Sequence, residues 1–167
     1  MVLKLASSLS NTEKIESVIS ICPPSFSDKT TNLSIFKLPI SIIWLIRPLM
    51  SMKATDLLFG PNASKLLKEQ EKEASSRNPI YMFRSFYNGI DHRLLSLKSF
   101  GDRLHVPVLL VAGSHDNLCP ASGVEEYFNW FKSSQVRFEI IPDSGHQSMQ
   151  EEPKRVNQLV ESFIESL

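Results

Sequence analysis

The sequence predicts an α/β fold with a parallel sheet, and three observations in its 167 residues carry that prediction. Residues 17–22 are a β-branched run closed by Pro23-Pro24, which reads as a strand. Residues 106–112 are continuously apolar, the pattern of a strand buried on both faces of a parallel sheet. The last third then reads strand, helix, strand, helix, the order of a right-handed βαβ unit.

Each element has its own signal. Val2, Leu5, Ala6 and Leu9 recur at i, i+3, i+4 and i+7, one face of a short helix over residues 1–9. After the strand at 17–22, residues 25–103 lose all strand character. Helical patterns fill them at 42–50, 65–75 and 79–87, punctuated by Gly60-Pro61 and Gly89. The middle one is a solvated helix, with Lys68, Glu69, Glu71, Lys72 and Glu73 interleaved. Beyond the 106–112 strand, Val124, Phe128 and Phe131 mark a helix. Val136, Phe138 and Ile140 alternate into a strand that Pro142 ends. Val156, Leu159, Val160, Phe163, Ile164 and Leu167 draw one stripe of a final helix, with Pro153 near its start where proline is tolerated.

Composition narrows the function classes. At 42% hydrophobic and 22% charged residues the chain can bury a globular core, and its length fits one domain or part of one. Eighteen basic residues balance eighteen acidic ones, so the excess of Lys and Arg that nucleic-acid binding or a polybasic membrane anchor needs is missing. The two cysteines, Cys22 and Cys119, are too few for a disulfide scaffold and lack metal-ligand spacing; reduced thiols and no metal or cofactor are expected. Lys4, Ser7 and Ser8 interrupt the first apolar stretch too soon for a secretory signal, so an intracellular location is expected and the two Asn-x-Ser sequons are chance. The most apolar stretch, 36–52, carries Pro39, Arg47 and Pro48 and falls short of the ~20 apolar residues of a membrane span.

Chemistry concentrates in two loops that both leave strands. One runs over residues 113–120 and contains Asp116. The other runs over 142–146, ends in His146, and leads to Glu151-Glu152-Pro153. Parallel strands place both loops at their shared carboxyl edge, where open α/β sheets bind ligands. One strand–helix–strand crossover separates Asp116 from His146. An Asp that accepts from one ring nitrogen fixes the tautomer and leaves the other nitrogen as a base. The plain alternatives are a turn-forming Asp and a satisfied surface His. His115 and Asp143 are decoy candidates in the same loops, and Cys119 is a second-choice nucleophile.

The run 106–116, then Pro120, Ser144-Gly145-His146 and Glu151-Glu152-Pro153 resembles the C-terminal third of an α/β-hydrolase. It is similar to the branch that holds epoxide hydrolases, haloalkane dehalogenases, lipases and abhydrolase-domain proteins. The resemblance implies that Asp116 is the triad acid and His146 the triad base. It also divides the chain. Residues 1–24 resemble the core segment after the nucleophile elbow, 25–103 an inserted helical cap, and 104–167 the core segment with the acid and base loops. The implied architecture is the C-terminal part of the family's parallel sheet, about three strands, with the cap inserted.

The family nucleophile sits in G-x-S-x-G between a strand and a helix. None of the six glycines here belongs to such a motif, which would lie just upstream of residue 2. The implied reaction is hydrolysis of an ester, amide or lipid bond by a nucleophile–His–Asp triad, with a Ser, Asp or Cys nucleophile outside this chain. The alternative is a truncated isoform or pseudoenzyme that binds a ligand or partner. Trp44, Tyr81, Phe83, Phe86 and Tyr87 are candidate substrate-lining residues for a small apolar ester or lipid; packing between cap and core is their bland alternative. Without the nucleophile strand, strand 17–22 has an open edge through which the chain is expected to self-associate.

Overall fold

The computed structural model describes residues 15–23, 38–79, 81–82, 106–131 and 135–167. The expected helix at 1–9, and all but residues 79, 81 and 82 of the one at 79–87, lie outside them. In chain order the elements are β1 (Val18–Ile21), α1 (Ile40–Leu58), α2 (Lys65–Arg77), β2 (Val108–Gly113), α3 (Ala121–Trp130), β3 (Val136–Ile141), α4 (Ser148–Glu151) and α5 (Pro153–Glu165).

The three strands form one parallel sheet in the order β1-β2-β3. β2 is central, and all six of its residues are buried. Side chains alternate across a strand, so β2 feeds two cores. Val108, Leu110 and Ala112 join Val18, Val124 and Phe131 on the α3 side. Leu109 and Val111 join Ile141, Val156, Leu159 and Phe163 on the α5 side. Helices on both faces explain why β2 carries no polar residue. The stripe on α5 buries Val156, Leu159 and Phe163, whereas Ile164 and Leu167 are exposed, Leu167 because it lies beyond the last helical residue.

Among the described residues, α1 and α2 lie between β1 and β2. α2 starts where Ser64 Oγ accepts from the Leu67 amide, an N-cap of the usual kind. α1 runs to Leu58, well past the expected end at residue 50, and passes through Pro48. Arg47 explains part of its docking: its guanidinium donates to the carbonyls of Ser75, Ser76 and Asn78 at the C-terminal end of α2, where a cation complements the helix dipole. Ile43 and Phe59 are buried, but Trp44, Leu45 and Leu49 are 66%, 73% and 58% exposed. Packing therefore accounts for only part of this apolar helix. No helix among the described residues is long and apolar enough to cross a membrane.

β1 is an edge strand among the described residues. Val18 and Cys22 donate to the carbonyls of Pro107 and Val111. In a parallel ladder the alternate residues face the other way, so the backbone groups of Ile19 and Ile21 point to the open side.

Candidate active site

Both loops leave the carboxyl ends of adjacent strands, β2 and β3, and are stitched together by their backbones. The Ser114 amide donates to the Ile141 carbonyl and the His115 amide to the Ser144 carbonyl, both at 2.9 Å. The Asp143 amide donates to Ser114 Oγ at 2.8 Å, with Asp143 in the left-handed region at φ 56° that Asp tolerates better than most residues. Asp116 sits in a tight turn off Gly113. Its Oδ1 accepts from the Leu118 and Cys119 amides at 2.9 and 2.6 Å. That is the turn-forming role of an Asp, and it leaves Oδ2 for other work.

Oδ2 lies 2.9 Å from His146 Nδ1. A carboxylate only accepts, so Nδ1 carries the proton and donates, and Nε2 is the nitrogen left for chemistry. The Asp116 side chain has no exposure and the His146 side chain has 24%. Burial acts to lower the pKa of the ring. The hydrogen bonds with Asp116 and Cys119, and the electrostatic influence of both residues, outweigh it, and the pKa is pushed up to about 10. The two decoy candidates meet each other instead: His115 Nε2 and Asp143 Oδ1 are 3.6 Å apart with both side chains more than half exposed, a surface pair of little energetic consequence.

Under the histidine loop lies a buried network that nothing in the spacing of the sequence pointed out. Ser144 Oγ donates to Ser148 Oγ at 2.8 Å, and Ser148 Oγ donates to the Gly145 carbonyl at 2.7 Å. Cys22 Sγ lies 3.5 Å from Ser148 Oγ and 3.8 Å from the Gly145 carbonyl. Cys22 also has a positive φ of 47° at the end of β1. The signal for it was positional: the residue before Pro23-Pro24 ends a strand at the same edge as the two loops. Burial pushes the Cys22 thiol above its ordinary pKa, so it is poorly suited to attack as a thiolate. Cys119 is buried as well.

Cys22, Asp116 and His146 offer ligand atoms within 4.8 Å of one another, the one such group among the described residues. The Asp116 oxygens and His146 Nδ1 are already engaged, so a cation binding through that nitrogen would have to displace the Asp116–His146 bond. Of the candidate lining residues, Trp44 and Tyr81 are exposed, and Phe83, Phe86 and Tyr87 lie outside the described residues. A cleft of about 250 Å³ opens between residues 62–67 and Asp143, Glu151 and Glu152, but neither Asp116 nor His146 lines it.

The chain superposes on a hydrolase from Oleispira antarctica with a TM-score of 0.75 at 15% identity, over 96% of this chain and 60% of that one. The fold is that of the α/β hydrolases. A thermophilic esterase from Thermogutta terrifontis matches the chain with a TM-score of 0.73 at 16% identity, over 98% and 61% of the two chains. A bromoperoxidase from Bacillus anthracis matches with a TM-score of 0.71 at 14% identity, over 97% and 63%. The chain thus spans about three fifths of the length of these structures. No family model matches the sequence, and no curated protein matches it. An esterase and a bromoperoxidase on one fold show that this architecture does not fix the reaction.

Proposed function

We propose that this chain supplies the acid and the base of a hydrolase of the α/β-hydrolase fold, acting on an ester or lipid bond. The observation that carries the proposal is the 2.9 Å bond from His146 Nδ1 to Asp116 Oδ2, built from loops at the ends of adjacent parallel strands. In this reading Asp116 orients His146 and stabilises its imidazolium. Nε2 takes the proton of an attacking hydroxyl and returns it to the leaving group. The nucleophile comes from a segment outside residues 1–167, since no G-x-S-x-G stands among them. Residues 25–103 act as the lid, with the exposed Trp44 and Tyr81 among the groups that meet an apolar substrate. Esterases among the structural neighbours support the bond class.

A pKa near 10 keeps His146 protonated at neutral pH, the wrong state for a base. Burial acts downward on that pKa, so a nucleophile strand and substrate covering the ring would move it back toward working range. The chain alone should therefore be inert. General-base help alone is worth roughly 10²–10⁴-fold, far below what a complete triad and oxyanion hole provide. Purified residues 1–167 should neither turn over p-nitrophenyl esters nor label with a fluorophosphonate. A longer chain encoded with the sequence upstream of Met1 should do both, and His146→Ala should abolish turnover. Labelling of residues 1–167 that His146→Ala removes would place the nucleophile inside this chain. A longer chain with an intact dyad and no turnover would favour the ligand-binding alternative.

The open side of β1 belongs to the same proposal. Among the described residues the backbone groups of Ile19 and Ile21 have no strand beside them, and with their apolar side chains they are a template for another strand. The isolated chain should self-associate, and Ile19→Lys should reduce that association at some cost in the packing of the α5-side core. Sedimentation of the unmodified chain as a monomer at tens of micromolar would show the edge to be covered.

A further inference from the structure

We infer that Glu151 is a positioning residue for His146: its carboxylate clamps the histidine loop to the C-terminal end of α1. The inference rests on the reading of Asp116 and His146 as an acid–base pair. Oε1 of Glu151 accepts from the Gly145 amide and Oε2 accepts from the Gly60 amide, both at 2.8 Å. One carboxylate therefore holds two amides that belong to different parts of the chain. On the other side of His146, the Gln147 amide donates directly to the Leu58 carbonyl at 3.0 Å. Both neighbours of His146 are thus fastened to residues 58–60. Asn117 Nδ2 donates to the Asp56 carbonyl at 3.2 Å and ties the Asp116 loop to the same turn.

The contact has no slack. A Cβ on Gly145 would lie 2.6 Å from Gly60 N, from Leu58 O and from Phe59 C, and one on Gly60 would lie 2.1 Å from Asp143 O. Backbone rests on backbone, so displacement of the end of α1 displaces the histidine loop. The carboxylate is also the side chain that the geometry requires. Gln would turn an NH2 group toward one of the two amide donors, and Asp is one methylene too short to keep both bonds. His146 thereby keeps its place against Asp116 while α1 stays docked, and undocking of α1 releases it.

The test uses the full chain and reads His146 directly. The groups that act on the pKa of its ring are Asp116 and Cys119, so a shift on changing Glu151 reports position rather than a lost neighbouring charge. In ¹⁵N-resolved titrations Glu151→Gln should lower the His146 midpoint by about one pH unit or more. It should speed exchange of the Gly60 and Gly145 amides about tenfold or more, the scale of losing a charge-assisted hydrogen bond. Glu152→Gln, an exposed neighbour, should change neither. Wild-type titration and exchange in Glu151→Gln would overturn the clamp. Should that variant not fold, exchange in the unmodified chain decides: the Gly60 and Gly145 amides must open together, and separate rates overturn it. A His146 ring whose Nδ1 carries no hydrogen-bonded proton in the ¹⁵N spectra of the unmodified chain overturns the acid–base pair instead, which keeps the two readings distinct.

Discussion

Asp116→Ala should destabilise the chain by about 3–5 kcal/mol, the cost of removing one partner of a buried pair. Three donors lose their acceptor at once: the Leu118 amide, the Cys119 amide and His146 Nδ1–H. The side chain they lose has no solvent exposure, so water does not simply take its place. Asp116→Asn should cost less, because its carbonyl oxygen can still serve the two amides while its NH2 opposes Nδ1–H. Urea denaturation of the three proteins reads the difference. Asp116→Ala at wild-type stability would mean that the pair is not formed in solution.

The same variant should flatten the pH dependence of stability in the range where His146 titrates. Its folded pKa of about 10 lies above an unfolded value near 6.5. The stabilisation from this group is therefore complete below about pH 6.5, declines as pH rises, and is gone above about 10. Removing Asp116 leaves burial opposed only by Cys119, so the His146 pKa should fall. The His146 contribution should then decline less steeply as pH rises. The two stability curves should draw closer as pH approaches 10, where the lost bonds to the Leu118 and Cys119 amides still separate them.

Much of this architecture was legible because its signals are local. Strand β2 announced itself by the continuous apolar run over residues 106–112, and α5 by a repeating stripe. Asp116 and His146 were legible because parallel strands exit at one edge, which turns chain order into spatial proximity. Other features were hidden for physical reasons. α1 continues through Pro48 to Leu58 because the contacts of Arg47 with the end of α2 and the anchorage of residues 58–60 hold it, and neither has a sequence period. Glu151 stood in the sequence only as part of Glu151-Glu152-Pro153. Its bond to Gly60 spans 91 residues and is specified by the fold, as is the arrival of Cys22 beneath Gly145. Exposure of Trp44, Leu45 and Leu49 on a strongly apolar helix also has no local signature, since composition alone cannot tell a buried face from a bare one.

Gly113→Ala should displace the two loops by sterics alone. Gly113 ends β2 and has no positive φ, so alanine meets no conformational barrier there. Its Cβ, however, would lie 2.3 Å from Gly145 O, 2.4 Å from Ser144 O and 2.9 Å from Ser144 C. All three are backbone atoms of the histidine loop, so no side chain can rotate away to make room. The segment that must yield is held below by the Ser144–Ser148 hydrogen bond and above by Glu151. Overpacking of this kind costs about 1–3 kcal/mol, and the rigid surroundings place this substitution at the upper end. The Asp116–His146 bond should lengthen with the displacement, lowering the His146 pKa although both ionisable groups remain. That separates it from Asp116→Ala, in which the partner itself is removed. Unfolding midpoints measure the first effect and histidine titration the second. Wild-type values for both would show that the loops can part without cost, and that the backbone contact at Gly113 does not position the pair.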